Sequence, residues 1–488
     1  MLDQIFKAYD VRGVYPDQLN EEAARRIGVA AGRFLLTHPQ VPGGDAGKRV
    51  VVSRDMRTSS PSLQSALIDG LRNAGAHVID VGMCDTSMIY FAVNHLDCAG
   101  GIQTTASHNP SQYNGFKISG PLAKPIGATT GLSDIKQIAQ SLGEHDLPAK
   151  SGQNSCERHD VWDAYREHIL RFYRRPAKTR QPLKVVIDAS NGMAGKLIPK
   201  VFEGLEGLEI VALNFEITGS FVHEPNPLVA RNMESTQHAV RKHGAALGAC
   251  FDGDADRCML TDEQGRIIGC DHLTALLCGH FLKHTDPTDN NPIPDAIAGS
   301  NMVLYDLRSS KVVSETIEEL GATPMRCRVG HVFMKHELRE SQGVFGGELS
   351  GHFYFRDNYY ADSGAITLAS VIHMLGHTDK SMSALIAPFQ KYPTSGEINF
   401  RTDDKDAVMR KLKDRFTGKA QIDELDGVTV DAWSRDQCAD LPGGWWLNVR
   451  ASNTEPLLRF NAEAKDAAVL DAVIDSVTQS FGERDHGH

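Results

Sequence analysis

Arg49-Val50-Val51-Val52-Ser53-Arg54-Asp55-Met56-Arg57 is the stretch whose reading decides the fold. The valine run reads as a buried strand and the charged residues after it as a turn. Ser59 or Ser60 can then cap a helix from Pro61 to Asn73, proline being favoured in a first turn. Gly75 stops that helix, and His77-Val78-Ile79-Asp80-Val81 is the next strand. The same grammar recurs at Leu183–Asp188, a turn through Gly192, a helix to Phe202 and a strand at Glu209–Ala212. It recurs again at Met302–Asp306, a helix around Val312–Leu320, Gly321 and a strand at Thr323–Cys327. Three strand–turn–helix–glycine–strand units predict three α/β domains, each a largely parallel sheet under helices.

Outward from the first unit, Glu21–Leu36 has helical periodicity, with Ala23, Ile27, Ala30, Ala31 and Phe34 on one side. Ahead of it, Tyr9-Asp10-Val11-Arg12-Gly13 reads as a short loop, and Arg12 taken alone as a surface arginine. The C-terminal part reads differently. Strands at Gly396–Phe400, Val428–Asp431, Trp445–Arg450 and Leu457–Asn461 mix with helices at Asp404–Phe416 and Asp466–Phe481. That is an α+β pattern, with Leu385–Pro393 as the linker and the last seven residues disordered. The expected domains are residues 1–157, 158–267, 268–384 and 385–488.

A chain of 488 residues is too long for one core, which agrees with several domains. Its charged fraction of 23% and hydrophobic fraction of 41% are those of an ordinary soluble protein. The net charge of −11 gives no bulk attraction to nucleic acid or to an anionic membrane, though a local basic cleft can still take small anions. No apolar run spans a membrane, and the N-terminus lacks signal-peptide character. Nine cysteines without a CxxC pair or zinc-type spacing predict free thiols in a reducing cytoplasm.

Four loops concentrate chemistry. In Thr104-Thr105-Ala106-Ser107-His108-Asn109-Pro110 a strand breaks at Ser107, holding a hydroxyl on a loop at the strand's end, with His108 adjacent and Lys117 downstream. No Gly-x-Ser-x-Gly elbow surrounds it. In Asp252-Gly253-Asp254-Ala255-Asp256-Arg257, carboxylates at alternate positions can converge on one hard cation, Mg²⁺ or Ca²⁺ rather than zinc. In Gly347-Glu348-Leu349-Ser350-Gly351-His352, an extended backbone would turn Glu348 and Ser350 to one side, a pairing suited to vicinal sugar hydroxyls. In Arg450-Ala451-Ser452-Asn453-Thr454-Glu455-Pro456, closely spaced donors match the needs of a dianionic phosphate. Taken singly, each has a plainer reading: a turn serine, a solvated acidic turn, a polar connection between strands, a helix cap.

Taken together and in order with Tyr9-Asp-Val-Arg-Gly, these motifs resemble the α-D-phosphohexomutases, in particular the phosphomannomutase/phosphoglucomutase branch. The resemblance covers almost the whole chain. It implies three similar mixed-sheet α/β domains plus a C-terminal α+β domain, heart-shaped around a central cleft. Ser107 would be carried as phosphoserine, with one Mg²⁺ between its phosphate and Asp252, Asp254 and Asp256. Glu348, Ser350, His352 and Arg308 would hold the sugar, and Arg450, Ser452, Asn453 and Thr454 its non-reacting phosphate. Arg12, His108, Lys117, Arg257 and His331 match the family's cleft, with Lys117 or His331 as the base. The implied reaction interconverts hexose 1-phosphate and 6-phosphate through a hexose 1,6-bisphosphate. The expected partners are sugar phosphates alone, for a monomer or weak dimer.

Three departures stand out. Ala255 replaces a common glycine, which matters only if the backbone there needs a positive φ. The Phe221-Val222-His223-Glu224-Pro225-Asn226-Pro227 loop matches only approximately, with its histidine shifted. Arg308 stands where some relatives have lysine, a planar fork in place of a point charge. Within the family the rival is phosphoglucosamine mutase, whose sugar loop has Gln between Glu and Ser and whose phosphate loop reads Arg-Pro-Ser-Gly. Leu349 and Arg450-Ala451-Ser452-Asn453 favour the mannose/glucose branch. An Mg²⁺-dependent sugar-phosphate phosphatase is the rival outside it, and a non-catalytic sensor is disfavoured by the intact Ser107 and aspartates.

Overall fold

Val50, Val51 and Val52 are buried from both faces of a six-stranded sheet, as an unbroken apolar strand requires. The computed structural model describes residues 2–147, 155–173, 182–284, 299–452 and 457–485. In the first sheet β1 (Val11–Val14), β2 (Arg49–Arg54), β3 (His77–Met83), β4 (Gly100–Thr104), β5 (Tyr113–Ser119) and β6 (Cys156–Arg158) lie in the order β1-β5-β4-β2-β3-β6. Strands β4, β2, β3 and β6 run parallel, and β5 is antiparallel to β4 and β1. Helices Glu21–Leu36 and Ser60–Asn73 cross at two glycines. A Cβ at Gly28 would meet Leu67 O at 2.3 Å, and one at Gly70 would meet Arg25 O at 2.2 Å.

The second sheet has the order β10-β9-β7-β8, from β7 (Leu183–Asp188), β8 (Leu208–Leu213), β9 (Leu247–Phe251) and β10 (Cys258–Thr261). The third has the order β12-β11-β13-β14-β15, from β11 (Met302–Asp306), β12 (Thr323–Cys327), β13 (Phe345–Gly347), β14 (Phe353–Phe355) and β15 (Ala361–Asp362). A shared plan emerges. In each sheet a parallel strand ends in a loop and returns as an antiparallel neighbour: β4 to β5, β9 to β10, β13 to β14. Those three returns carry Ser107, the aspartates and Glu348. The repeat thus presents equivalent loops, and each unit has put different chemistry on its own.

The fourth sheet is antiparallel, ordered β17-β18-β21-β22-β16-β23. Its strands are β16 (Ile398–Arg401), β17 (Gln421–Asp423), β18 (Val428–Asp431), β21 (Trp445–Ala451), β22 (Leu457–Ala464) and β23 (Glu483–Asp485), with a separate β19–β20 pair, Gln437–Cys438 with Leu441–Pro442. Helices Lys405–Phe416 and Ala467–Thr478, capped by Asp404 and Asp466, accompany it. One apolar cluster runs through the first three units from Val51 to Ile386, whereas the fourth encloses its own core around Trp445 and Phe460. Polar contacts join the fourth unit to the third: Arg308 to Glu397, Lys311 to Asp431, Arg326 to Asp423, and Lys311 N to Glu463. A shared core ties the first three together, while the fourth docks through charge.

Several expectations are corrected. Arg12 sits on β1, not in a loop, because residues 11–14 pair with residues 113–116. Ser59 precedes the Ser60–Asn73 helix without a side-chain capping bond, and Ser60 Oγ instead donates to Asp55 at 2.5 Å. The 385–393 linker is partly helical, through Met382–Ile386 and Ala387–Phe389. Of the last seven residues, Glu483–Asp485 forms β23 on the edge of β16, while 486–488 lie outside the described residues. All nine cysteines are free, and Cys156 alone among them is exposed. Among the described residues, no helix is long and apolar enough to cross a membrane.

Candidate active site

The β4–β5 return places Ser107 with φ 50°, a left-handed conformation costing about 1 kcal/mol for a residue with a Cβ. Its N–H donates to Thr105 Oγ1 at 2.9 Å, and the buried hydroxyl donates to Asp252 Oδ2 at 3.0 Å. His108 Nδ1 lies 3.3 Å from the same hydroxyl. Burial, with Arg257, Arg12 and Lys117 nearby, holds the His108 imidazole well below its usual pKa, so it stays neutral. Arg12 donates from Nη1 to Asn109 Oδ1 at 2.6 Å and pairs with Asp10, bracing the loop from β1.

The β9–β10 return carries Asp252, Asp254 and Asp256, all buried, with one oxygen from each inside a 4.8 Å group. Lys117 on β5 donates to Asp254 at 2.7 Å and Asp256 at 2.5 Å. Burial opposes the Lys117 charge, but Asp254 and Asp256 outweigh it and raise the pKa, so the ammonium keeps its proton. Arg257 N donates to Asp252 Oδ1 at 3.1 Å, and its guanidinium lies 3.7 Å from Oδ2. Thr86, at the start of the Thr86–His95 helix, donates its N–H to Asp254 O at 3.0 Å and its hydroxyl to the carboxylate. Among the described residues Asp254 Oδ1 has no hydrogen-bond partner, and Asp256 Oδ1 has only the His352 imidazole, at 3.2 Å. Buried carboxylate oxygens left over in this way fit a hard divalent cation such as Mg²⁺. Ala255 has φ 59°, so the backbone does take the positive φ for which glycine is the unstrained choice.

In the β13–β14 return, the backbone is a tight turn closed by Gly351 N to Glu348 O at 3.1 Å, not an extended segment. Glu348 and Ser350 still meet, Ser350 Oγ donating to Glu348 Oε2 at 3.3 Å. Glu348 also accepts from Gly330 N at 2.9 Å and from the Tyr354 hydroxyl. His352 links the loops, with Nδ1 2.9 Å from Ser350 Oγ and Nε2 3.2 Å from Asp256. Burial works against its charge, yet Asp256 and Glu348 together outweigh it and raise His352 to about 9. Asp362, a residue the sequence did not single out, backs it at 3.8 Å, and Lys335 pairs with Asp362 at 3.0 Å. His331, at the N-terminus of the His331–Glu340 helix, is held neutral by burial and by Lys335 and Lys117. Its ring lies 5.9 Å from that of His352 and 5.7 Å from Tyr9.

From the fourth unit, Arg450 on β21 donates to Glu397 Oε2 at 2.9 Å, and Arg308 from the third unit reaches the same oxygen at 3.3 Å. Arg459 adds a third guanidinium at 3.2 Å. Arg308 is otherwise occupied by Asp306, which holds it at the junction of the third and fourth units. Glu397 escaped sequence reading because its three arginines come from distant segments. Ser452 is buried beside β22, its N–H on Leu457 O at 2.9 Å. Asn453 and Thr454 lie outside the described residues.

Residues 3–146, 163–265 and 270–392 match the phosphoglucomutase/phosphomannomutase alpha/beta/alpha domains I, II and III, and residues 397–480 match that family's C-terminal domain. The chain belongs to the phosphoglucomutase/phosphomannomutase family. A phosphohexose mutase of Xanthomonas campestris is 39% identical over 472 residues, covering 96% of each chain. The phosphomannomutase of Escherichia coli K12 is 35% identical over 477 residues, again with 96% coverage of each. The crystal structure of a family protein from Burkholderia thailandensis superposes with a TM-score of 0.81 at 30% identity, covering 98% of both chains. The α-D-phosphohexomutase resemblance, the three α/β/α domains with a C-terminal domain and the phosphohexomutase class all stand on these matches. The second family domain includes the His223 loop, whose histidine pairs with Asp188 at 3.3 Å.

Proposed function

We propose that the enzyme carries a phosphoryl group on Ser107 and exchanges it with mannose or glucose monophosphates through a hexose 1,6-bisphosphate. The Ser107–Asp252 contact of 3.0 Å carries this reading, because it seats the reacting oxygen on the acidic loop. Asp252, Asp254 and Asp256 would hold Mg²⁺ beside Ser107. When bound, that ion supplies charge stabilisation for the phosphoryl oxygens.

The chain's own residues divide the remaining work. A sugar hydroxyl at O6 or O1 attacks the serine-bound phosphorus. The new P–O bond forms as the Oγ–P bond breaks, and the hydroxyl proton passes to a base. His331, held neutral, suits that role better than Lys117, whose ammonium two aspartates keep protonated. Arg12, His108 and Arg257 flank the transferring group with donors, and His352 ties the acidic loop to the sugar loop. Glu348 and Ser350 would take vicinal hydroxyls, helped by Arg308. Arg450, Ser452, Asn453 and Thr454 would grip the phosphate at the other end. After the bisphosphate turns around, the second phosphoryl returns to Ser107 and the serine is reset. One clamp must accept both orientations, and a fourth unit docked mainly by charge can release and re-engage.

Intact-mass measurement tests the reading: wild type should carry one phosphate that Ser107→Ala lacks, and a fully active enzyme without it would overturn the proposal. With Mg²⁺ and trace bisphosphate, mannose and glucose 1-phosphates should become 6-phosphates. Free phosphate as the main product would instead indicate a phosphatase. Side-by-side kinetics with glucosamine phosphate decides the branch.

A further inference from the structure

Arg57 lies in the charged turn after β2, and its side chain has no exposed surface. Every one of its side-chain donor nitrogens is engaged. Nη2 donates to the carbonyls of Ser107 at 2.9 Å and Asn109 at 2.7 Å, and Nη1 to those of Pro110 at 2.7 Å and Tyr113 at 3.1 Å. Nε donates to Asp55 Oδ2 at 3.1 Å, and Asp55 is itself held by Arg57 N at 3.0 Å and Ser60 Oγ at 2.5 Å. The ring of Phe221, from the second unit, covers the guanidinium at 5.4 Å. Gly219 brings that loop in so closely that a Cβ there would meet Thr58 Cγ2 at 2.8 Å.

Burying a permanent charge is costly unless its partners are complete, and here four of them are carbonyls of one loop. That loop contains Ser107, whose left-handed backbone needs support from outside itself. A planar fork can reach all four carbonyls at once, whereas a lysine ammonium, with three donors at a single point, cannot. The acidic loop packs closely on one of these carbonyls, since a Cβ on Gly253 would meet Ser107 O at 2.4 Å.

We propose that Arg57 is the positioning residue of the Ser107 loop. It fixes the backbone so that Oγ stays on the acidic loop through both phosphoryl transfers, and Phe221 keeps water off the clamp. The proposal rests on Ser107 as the phosphoryl carrier.

The test uses full-length Arg57→Ala, with fold checked by circular dichroism, and low-millimolar guanidinium as the probe against urea as control. Displacing the nucleophile by about 1 Å should lower kcat about 100-fold, while KM changes less than about twofold. Guanidinium should restore at least about tenfold of that loss in the vacated site and urea none, since only the former is a planar charged donor. A folded Arg57→Ala with kcat within about threefold of wild type, or a loss that guanidinium does not relieve, would overturn the proposal. Should Arg57→Ala fail to fold, Phe221→Leu decides. Its kcat should drop about three- to tenfold and its phosphoserine lose phosphate to water faster, and an unchanged kcat and lifetime refute the clamp. Wild type lacking phosphate on Ser107 sinks the carrier reading instead, whatever Arg57 does.

Discussion

Lys117 and Asp254 meet at 2.7 Å across 137 positions of sequence, and the same ammonium reaches Asp256 at 2.5 Å. The first unit thereby supplies a fixed cation to the acidic loop of the second. Lys117→Met should leave three buried carboxylates without that charge and cost about 3 kcal/mol or more in a metal-free protein. Thermal unfolding of the variant should fall well below wild type in EDTA and recover much of the gap in excess Mg²⁺, because ligand binding to the folded state adds stability. Equal gaps with and without Mg²⁺ would mean that the Lys117 ammonium and the cation do not substitute for one another at these carboxylates.

Ala255 adopts φ 59° in that loop. Ala255→Gly relieves left-handed strain and should keep or raise stability by up to about 1 kcal/mol, with kcat within about twofold of wild type. Calorimetry on both proteins checks this, and a marked loss would show that the buried methyl packs more than it strains.

His223 is raised above its ordinary 6.5 by its bond to Asp188, with burial opposing. A histidine whose folded pKa is raised contributes stability that is complete below the unfolded pKa and lost as pH rises through the folded one. The melting-temperature difference between wild type and His223→Gln should therefore be larger at pH 6 than at pH 8.5. A gap that widened with pH would reverse the assignment.

Glu397 holds Arg308, Arg450 and Arg459 within 3.3 Å. Glu397→Gln should raise KM for the sugar phosphate about three- to tenfold with a smaller effect on kcat, since bidentate guanidinium recognition depends on fixed geometry. Steady-state kinetics at constant ionic strength measures this, and an unchanged KM would assign Glu397 to docking alone.

Local order was legible wherever short-range periodicity carried it. Glu21–Leu36, Leu183–Asp188 and Met302–Asp306 appear at their expected limits. The loop reading of Tyr9–Gly13 fails at Val11–Val14 because strand pairing with residues 113–116 is a long-range decision. Glu483–Asp485 was missed because three polar residues become a strand only where β16 offers an unpaired edge.

Ser107 marks the division most clearly. By itself the sequence determined its loop, its neighbours and the order of the acidic, Glu348 and Arg450 motifs, since each is a local pattern of residue types. Tertiary structure alone decided that its hydroxyl meets Asp252, that Lys117 serves two aspartates and that Arg57 engages four carbonyls around it. The reason is geometric. Those partners come from different strand returns, and only packing the α/β units on a common core brings the returns to one place.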